Sequence, residues 1–408
     1  MAQAKKHEKW QLRSMQSADL NTKILLTKTR IREWVKVYGE DGVYVSFSGG
    51  KDSTVLLHIV RSIFPNVPAV FVDVPTQYPE LKQFAQSFEN VVILKPKTTF
   101  AKVCENYGFP LISKEVSGSV HEARKYLTEV RGMSTGLTDR QTVKGYWAIA
   151  DVLGIDRRQG AKKSKEYQDL KKGIIPNRFK YGAPIRFLQL IGEMPEKKDG
   201  ELTGNYSKRY DKSRYKNLLD APFEVSNECC KVMKKTPLYE YGRKTKRVPF
   251  TAQMADESAL RESTWLRHGC NMFDAKHPTS NPMAFWLEQD VLRYIKENNL
   301  PICSVYGDVV EDLSGTDDVE NQLTFSDYGF DKQWDAPNKP LKTTGCSRTG
   351  CMLCGFGCHI EKSPNRFELL KETHPKMYAL LDVVKNNGVT MREAIEWLNE
   401  NCNTNIRL

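Results

Sequence analysis

The first hundred residues alternate between helix-type and strand-type hydrophobic patterns. Residues 19–39 repeat apolar positions such as Ile24, Ile31 and Trp34 at helical spacing, which predicts an amphipathic helix that ends at Gly39. Short apolar runs at residues 44–47, 69–74 and 91–94 predict strands, and residues 54–64 and 81–88 predict helices between them.

The order of these elements predicts the fold class. Strands that alternate with helices are typical of an α/β protein with a parallel sheet flanked by helices. The strands are nearly continuous apolar runs, as expected when both faces of a sheet are buried.

The rest of the chain divides by composition. We distinguish an N-terminal helical segment (1–39), a first α/β part (40–116), a basic insertion (117–221), a second α/β part (222–310) and a Cys-rich segment with C-terminal helices (311–408). The second part has a predicted strand at 248–251 and predicted helices at 256–265 and 288–298. Residues 307–344 read as an acidic loop, and the tail predicts helices at 366–386 and 390–401.

Composition and charge narrow the functional classes. The chain has 408 residues, 61 Lys and Arg against 50 Asp and Glu, and a net charge of +11. It has no run of about 18 apolar residues and its N-terminal segment lacks an apolar stretch, so we expect a cytoplasmic protein with no membrane partner. The basic excess favours anionic partners such as DNA or RNA, and residues 157–180 contain nine Lys or Arg.

A glycine-rich turn (residues 46–53, SFSGGKDS) is the strongest local signal, because it follows a buried strand and precedes a helix. Glycines allow close approach of the backbone to a ligand, and a helix N-terminus attracts phosphate. The spacing differs from a Walker A loop. The predicted nucleotide-binding residues are Ser46, Ser48, Gly49, Gly50, Lys51, Asp52, Ser53 and, at the end of the next strand, Asp73. Of these, Lys51 and Asp52 are also the predicted catalytic residues.

Cysteines supply the second candidate site. The ten cysteines include the adjacent Cys229 and Cys230 and a group of four in one short segment, Cys346, Cys351, Cys354 and Cys358. In a chain without an export signal, such thiols are typical of metal or redox sites. Three of them have plant-type 2Fe–2S spacing, and the group of four also suits a zinc site.

The turn resembles the PP-loop, S-G-G-x-D-S, of proteins that bind adenine nucleotides. With Asp73, Pro79-Glu80, the segment 229–238 (CCKVMKKTPL) and the segment 350–354 (GCMLC), the chain resembles the phosphoadenosine phosphosulfate (PAPS) reductase family, and in particular its iron–sulfur branch. The resemblance implies an adenine nucleotide alpha hydrolase-like fold and an adenine nucleotide ligand, ATP with Mg²⁺ or another. It also implies a 4Fe–4S cluster on Cys229, Cys230, Cys351 and Cys354, with zinc as the alternative. Cys346 and Cys358 are then additional thiols.

Three features differ from the sulfonucleotide reductases of that family. Cys402 lacks the Glu-Cys-Gly-Leu-His-like surroundings of their nucleophilic cysteine, Met254 and Ala255 stand where the family often has arginines, and the basic insertion has no role in a small-molecule reductase. The chain is in this respect similar to the PP-loop proteins of DNA phosphorothioation and to certain tRNA thiolases. We therefore expect ATP-dependent sulfur transfer to a nucleic acid, with partner proteins in a sulfur-transfer system. The alternatives are a sulfonucleotide reductase and a non-catalytic nucleotide-binding subunit.

Overall fold

The structure is a computed structural model that describes residues 6–134, 185–198, 201–312 and 339–408. The basic tract at 157–180 lies outside these residues. The chain forms two compact units, one from residues 1–97 and 233–351 and the other from residues 98–232 and 352–408. These boundaries differ from the predicted divisions at 116, 221 and 310, because compact units follow contacts whereas the sequence was divided by composition.

A six-stranded sheet forms the centre of the first unit. Its strands are β1 (Val43–Ser46), β2 (Ala69–Val72), β3 (Val91–Leu94), β7 (Val248–Phe250), β8 (Asn271–Met272) and β9 (Thr279–Ser280). Their order is β3-β2-β1-β7-β9-β8, and every neighbouring pair is parallel except β8 with β9. The predicted α/β class is confirmed.

Apolar residues explain the position of the central strands. All four residues of β2 are buried, and so are Val43, Tyr44 and Val45 of β1. Strands with buried side chains on both faces need helices on both sides. The three predicted strands of the first hundred residues therefore lie next to each other in the sheet, in the order third, second, first.

Helices cover this sheet. They are α1 (Lys9–Gln16), α2 (Leu20–Tyr38), α3 (Lys51–Arg61), α4 (Pro79–Gln86), α9 (Thr236–Thr245), α10 (Ala259–His268) and α11 (Glu288–Glu297). The side chain of Asp19 caps α2, and Gly39 ends it with φ +77°, as the sequence predicted. Helix α3 begins three residues earlier than predicted, at Lys51, because the glycine-rich turn leads directly into it.

The second unit is mainly helical. Its helices are α5 (Phe100–Tyr107), α6 (Lys114–Ser134), α7 (Ile185–Ile191), α8 (Glu228–Cys230), α12 (Arg366–Thr373), α13 (Pro375–Tyr378) and α14 (Met391–Asn401). Its strand pairs are β4 (Leu111–Ile112) with β12 (Gly355–Phe356), β5 (Pro195–Lys198) with β6 (Glu201–Tyr206), and β13 (Lys385–Asn386) with β14 (Val389–Thr390). A π-helical segment, Lys231–Lys235, continues α8 into α9.

The tail corrects one sequence prediction. The single helix predicted at 366–386 is wrong, since α12 ends at Thr373 and is followed by α13, a 3-10 turn and the β13–β14 hairpin. Pro375 has no backbone N–H to continue the hydrogen bonds of α12, so it begins a new helix instead. The last predicted helix is confirmed as α14, with the predicted capping box between Thr390 and Glu393.

The acidic loop predicted at 307–344 contains regular structure at both ends. Strands β10 (Val309–Glu311) and β11 (Leu341–Thr343) form an antiparallel pair. The two strands are about thirty residues apart in the chain, so their pairing is a long-range contact. A strand of three residues is also too short for its hydrophobic pattern to predict it from the sequence.

Candidate nucleotide site

The glycine-rich turn connects the end of β1 to the start of α3. Gly49 has φ +73°, a conformation that side chains rarely adopt, and a Cβ there would meet the Leu81 carbonyl oxygen at 3.1 Å. Gly50 has an ordinary backbone, but its Cβ would lie 3.2 Å from both Ser48 Oγ and Tyr306 Oη. The first glycine is needed for the bend and the second for close approach.

Two serines brace the turn. Ser48 Oγ and Ser53 Oγ are 3.0 Å apart, and Ser48 Oγ accepts a hydrogen bond from the Gly50 N–H at 3.3 Å. Ser53 Oγ also donates to the Gly50 carbonyl at 2.9 Å. These bonds hold the turn at the N-terminus of α3, where helix N–H groups and the helix dipole favour an anion.

Lys51 is the first residue of α3 and is buried. Its Nζ donates to the Ser347 carbonyl at 3.0 Å, pairs with Glu288 Oε1 at 3.0 Å and lies 3.8 Å from Asp52 Oδ1. The ammonium group is therefore held within the site by groups from two distant parts of the chain.

Asp52 has an exceptional environment for a carboxylate. Burial raises its pKa, and Glu288 adds to the rise while Lys51, Arg348 and Arg261 oppose it. Its Oδ1 is buried and has no hydrogen-bond donor among the described residues. A carboxylate oxygen without a donor is suited to bind a cation.

Tyr306 and Thr349 belong to this site, and sequence reasoning missed both. Tyr306 Oη accepts from the Lys51 backbone N–H at 3.3 Å and lies 2.7 Å from Thr349 Oγ1. Tyr306 is buried, and burial raises its pKa to about 12, so the hydroxyl stays protonated at neutral pH. Because 255 residues separate Tyr306 from Lys51 along the chain, no local pattern connects them.

Two arginines lie near the turn. Arg348 Nη2 is 3.8 Å from Glu257 Oε1, and Arg261 pairs with the same carboxylate. Burial, and next the positive charge of Arg348, lower the pKa of Arg261, while Asp52 opposes the change. Because the two arginines share the single carboxylate of Glu257, this edge of the site has an excess of positive charge that favours an anion.

Asp73 follows β2, the strand next to β1. Its N–H donates to the Leu94 carbonyl at 2.8 Å, and its carboxylate pairs with Lys82 Nζ at 2.7 Å. Parallel neighbouring strands end at the same edge of a sheet, so Asp73 lies on the edge that carries the glycine-rich turn.

The cysteines of the predicted metal site are divided between the units. Cys351 ends the second segment of the first unit, and Cys229, Cys230 and Cys354 belong to the second. All ten cysteines are thiols, with no disulfide. Among the described residues, no group of three or more His, Cys, Asp or Glu side chains is placed to hold a metal ion. The metal assignment stays a prediction from residue type and resemblance.

Within the second unit, the contacts of Cys229, Cys230, Cys354 and Cys358 are as follows. Cys229 and Cys230 lie on α8, which packs against α5, where Cys104 is buried. The Cys354 carbonyl accepts from Arg366 Nη1 at 2.9 Å and contacts Cys358 Sγ at 3.5 Å. Burial raises the pKa of the Cys358 thiol well above its ordinary value.

Cys402, the last cysteine, is buried at the end of α14. Burial raises its pKa to about 11, and its carbonyl accepts from Arg214 Nε at 3.3 Å. A protonated, buried thiol is a poor nucleophile. A buried thiol of this kind fits a residue that lacks the sequence context of the reductases' nucleophilic cysteine.

Comparison with known proteins adds one finding. The chain matches the model of the phosphoadenosine phosphosulfate reductase domain over residues 42–171 and 188–355, more than half of its length. The match includes the glycine-rich turn and most of the segment predicted to be an insertion, namely residues 117–171 and 188–221. No curated protein matches the chain. No described helix is both long and apolar enough to cross a membrane.

Proposed function

The chain belongs to the phosphoadenosine phosphosulfate reductase domain family, and from this premise we propose that it is a PP-loop enzyme that uses ATP to activate a nucleic acid for sulfur transfer. The observation that carries the proposal is the glycine-rich turn, whose bend, serine contacts and buried Lys51 form a phosphate cradle at a helix N-terminus. The basic composition supports a polyanionic acceptor.

Each polar group of the cradle has a role in this proposal. The α3 N-terminus and Lys51 bind the nucleotide phosphates and neutralise the charge that develops when the α-phosphate is attacked. Asp52 would hold the Mg²⁺ of ATP, because its Oδ1 is a buried carboxylate oxygen that has no donor among the described residues. The ion would screen the phosphate charges. Adenylation turns an acceptor oxygen into a leaving group, AMP, that sulfur can displace.

An iron–sulfur cluster on Cys229, Cys230, Cys351 and Cys354 is part of the proposal. Thiolates are the usual ligands of such clusters, and zinc is the alternative metal. The support is the residue types and the resemblance stated above, and no step of the nucleotide chemistry depends on the cluster.

The test is anaerobic incubation of the full chain with α-labelled ATP, with DNA, with RNA and with neither. We expect AMP and pyrophosphate, with formation stimulated by one of the nucleic acids. Lys51→Ala should weaken ATP binding, whereas Lys36→Ala, which removes an exposed lysine of α2, should not. If no condition yields AMP, the adenylating function is wrong.

Sulfonucleotide reduction is the second candidate, and the family match is compatible with it as well as with sulfur transfer. The two arginines beside the turn would suit a sulfate-bearing nucleotide. Release of sulfite from adenylyl sulfate or PAPS, with no AMP formed from ATP, would decide for this activity.

A further inference from the structure

The cysteines that are not ligands of the proposed cluster differ in their exposure to solvent. Six remain, and five of them are buried: Cys104, Cys270, Cys303, Cys358 and Cys402. Cys346 alone among the six is partly exposed. A thiol that exchanges sulfur with an outside donor must be accessible, so the other five are poor candidates.

Cys346 lies beside the glycine-rich turn, in the same unit. The carbonyl of the next residue, Ser347, accepts the hydrogen bond from Lys51 Nζ at 3.0 Å. Three residues after Cys346, Thr349 Oγ1 lies 2.7 Å from Tyr306 Oη, and this hydroxyl accepts a hydrogen bond from the Lys51 N–H. The segment that carries Cys346 is thus bonded directly to the first residue of α3.

The backbone of Cys346 is fixed on both sides. Its N–H donates to the Val305 carbonyl at 2.9 Å, and its own carbonyl accepts from Thr343 Oγ1 at 3.0 Å. These bonds tie the cysteine to the strand β11 and to the turn that carries Tyr306. A fixed backbone holds the residue at a constant position beside the segment that contacts Lys51, with its side chain partly buried against the core of the first unit.

The groups that face the thiol set its reactivity. Burial raises the pKa of Cys346, and the nearby Cys303 and Glu80 add to the rise, while the positive charge of Lys51 opposes it. Negative charge on Cys346 also adds to the rise of the Tyr306 pKa, after burial as the main cause. The thiolate is the attacking form, so sulfur uptake should increase with pH.

We propose that Cys346 is the sulfur-carrying residue of this enzyme, which accepts sulfur as a persulfide and delivers it to the acceptor activated at the glycine-rich turn. The delivery step rests on the proposed function. The loading step does not, because it requires neither ATP nor an acceptor.

The chemistry balances with two co-reactants. A persulfide donor, R–S–SH, transfers its outer sulfur to the Cys346 thiolate, which yields Cys346–S–SH and R–SH after a proton is taken up. The outer sulfur then attacks the activated acceptor atom, the bond to the AMP oxygen breaks with its electron pair, and the persulfide proton passes to water. A dithiol reductant finally cleaves the S–S bond between enzyme and acceptor, becomes a disulfide and restores the Cys346 thiol.

The experiment compares the full-length wild type with Cys346→Ser, and with Cys270→Ser as a buried-thiol control from the same unit. Each protein is incubated anaerobically with glutathione persulfide that carries a labelled outer sulfur, and the label is mapped by peptide mass spectrometry. We expect one added sulfur on the Cys346 peptide of the wild type and of Cys270→Ser, and none at this position in Cys346→Ser. The loading rate should still be rising at pH 9.0, the ordinary thiol pKa.

Several results would overturn the proposal: label on another cysteine of the wild type, full sulfur transfer by a folded Cys346→Ser, or loss of iron in that variant, which would make Cys346 a cluster ligand. If Cys346→Ser does not fold, Cys346→Ala is used in its place. Absence of AMP formation by the wild type would refute the proposed function alone, since the loading assay is read without ATP.

Discussion

The two glycines of the turn allow a sharp test, because the structure assigns them different tasks. Gly49→Ala places a side chain on a backbone with φ +73° and against the Leu81 carbonyl oxygen at 3.1 Å. Gly50→Ala changes an ordinary backbone position, but its Cβ would lie 3.2 Å from Ser48 Oγ and Tyr306 Oη, within the cradle. The first change should reduce stability, and the second should mainly reduce nucleotide binding.

The expected losses of stability and of ATP affinity can be put into numbers. A side chain in a disfavoured backbone conformation costs about 1–3 kcal/mol, so Gly49→Ala should lower the free energy of unfolding by at least this amount. Gly50→Ala should lower it by less than about 1 kcal/mol, since its neighbours need to move by only a few tenths of an ångström. A loss of about 1.4 kcal/mol in binding already weakens ATP affinity tenfold, and we expect Gly50→Ala to reach this value.

Two other glycines serve as controls. Gly39→Ala imposes a similar positive φ of +77° with nothing within 4 Å of the new Cβ, so it measures the backbone cost without a contact. Gly350→Ala has neither a positive φ nor a neighbour within 4 Å, although it lies in the segment that borders the site. It should change neither stability nor binding.

The assays are urea unfolding followed by far-UV circular dichroism, and isothermal titration with ATP. The reasoning is refuted if Gly50→Ala binds ATP as tightly as Gly350→Ala does. It is equally refuted if Gly49→Ala is as stable as the wild type.

Two further predictions concern Asp52 and Cys351. Because burial raises the Asp52 pKa, folded protein holds its proton above pH 3.8, the ordinary value, and stability falls as pH rises through the raised pKa. Asp52→Asn should therefore unfold at a higher urea concentration than the wild type at neutral pH and lose this advantage near pH 3.8, with the exposed Asp41→Asn as the control variant. Equal urea midpoints for Asp52→Asn and wild type at neutral pH would contradict the argument. Cys351→Ala should lower the iron content of anaerobically purified protein and leave ATP binding intact. The control variant is Cys270→Ala, which replaces a buried cysteine outside the proposed cluster. Unchanged iron content in Cys351→Ala would show that Cys351 is not a ligand.

The local features of the first unit were predictable from sequence. Helix α2 with its Gly39 terminus, the strands β1 to β3 and the turn between β1 and α3 each depend on residues that are close in the chain. Hydrophobic periodicity and glycine placement report such local structure directly. The α/β class followed from the order of these elements, and both the sheet and the family match confirm it.

The surroundings of the candidate site were decided by tertiary structure. Glu288, Tyr306 and Ser347 reach Lys51 from positions more than two hundred residues away. The partial exposure of Cys346, in contrast to the burial of Cys270 and Cys303 in the same unit, is likewise a property of packing. Sequence alone determined which residues bend the chain and which of them we propose as phosphate-binding groups, because those properties are local. Which distant side chains surround Lys51 and which cysteines are partly exposed depend on long-range packing, which leaves no local pattern in the chain.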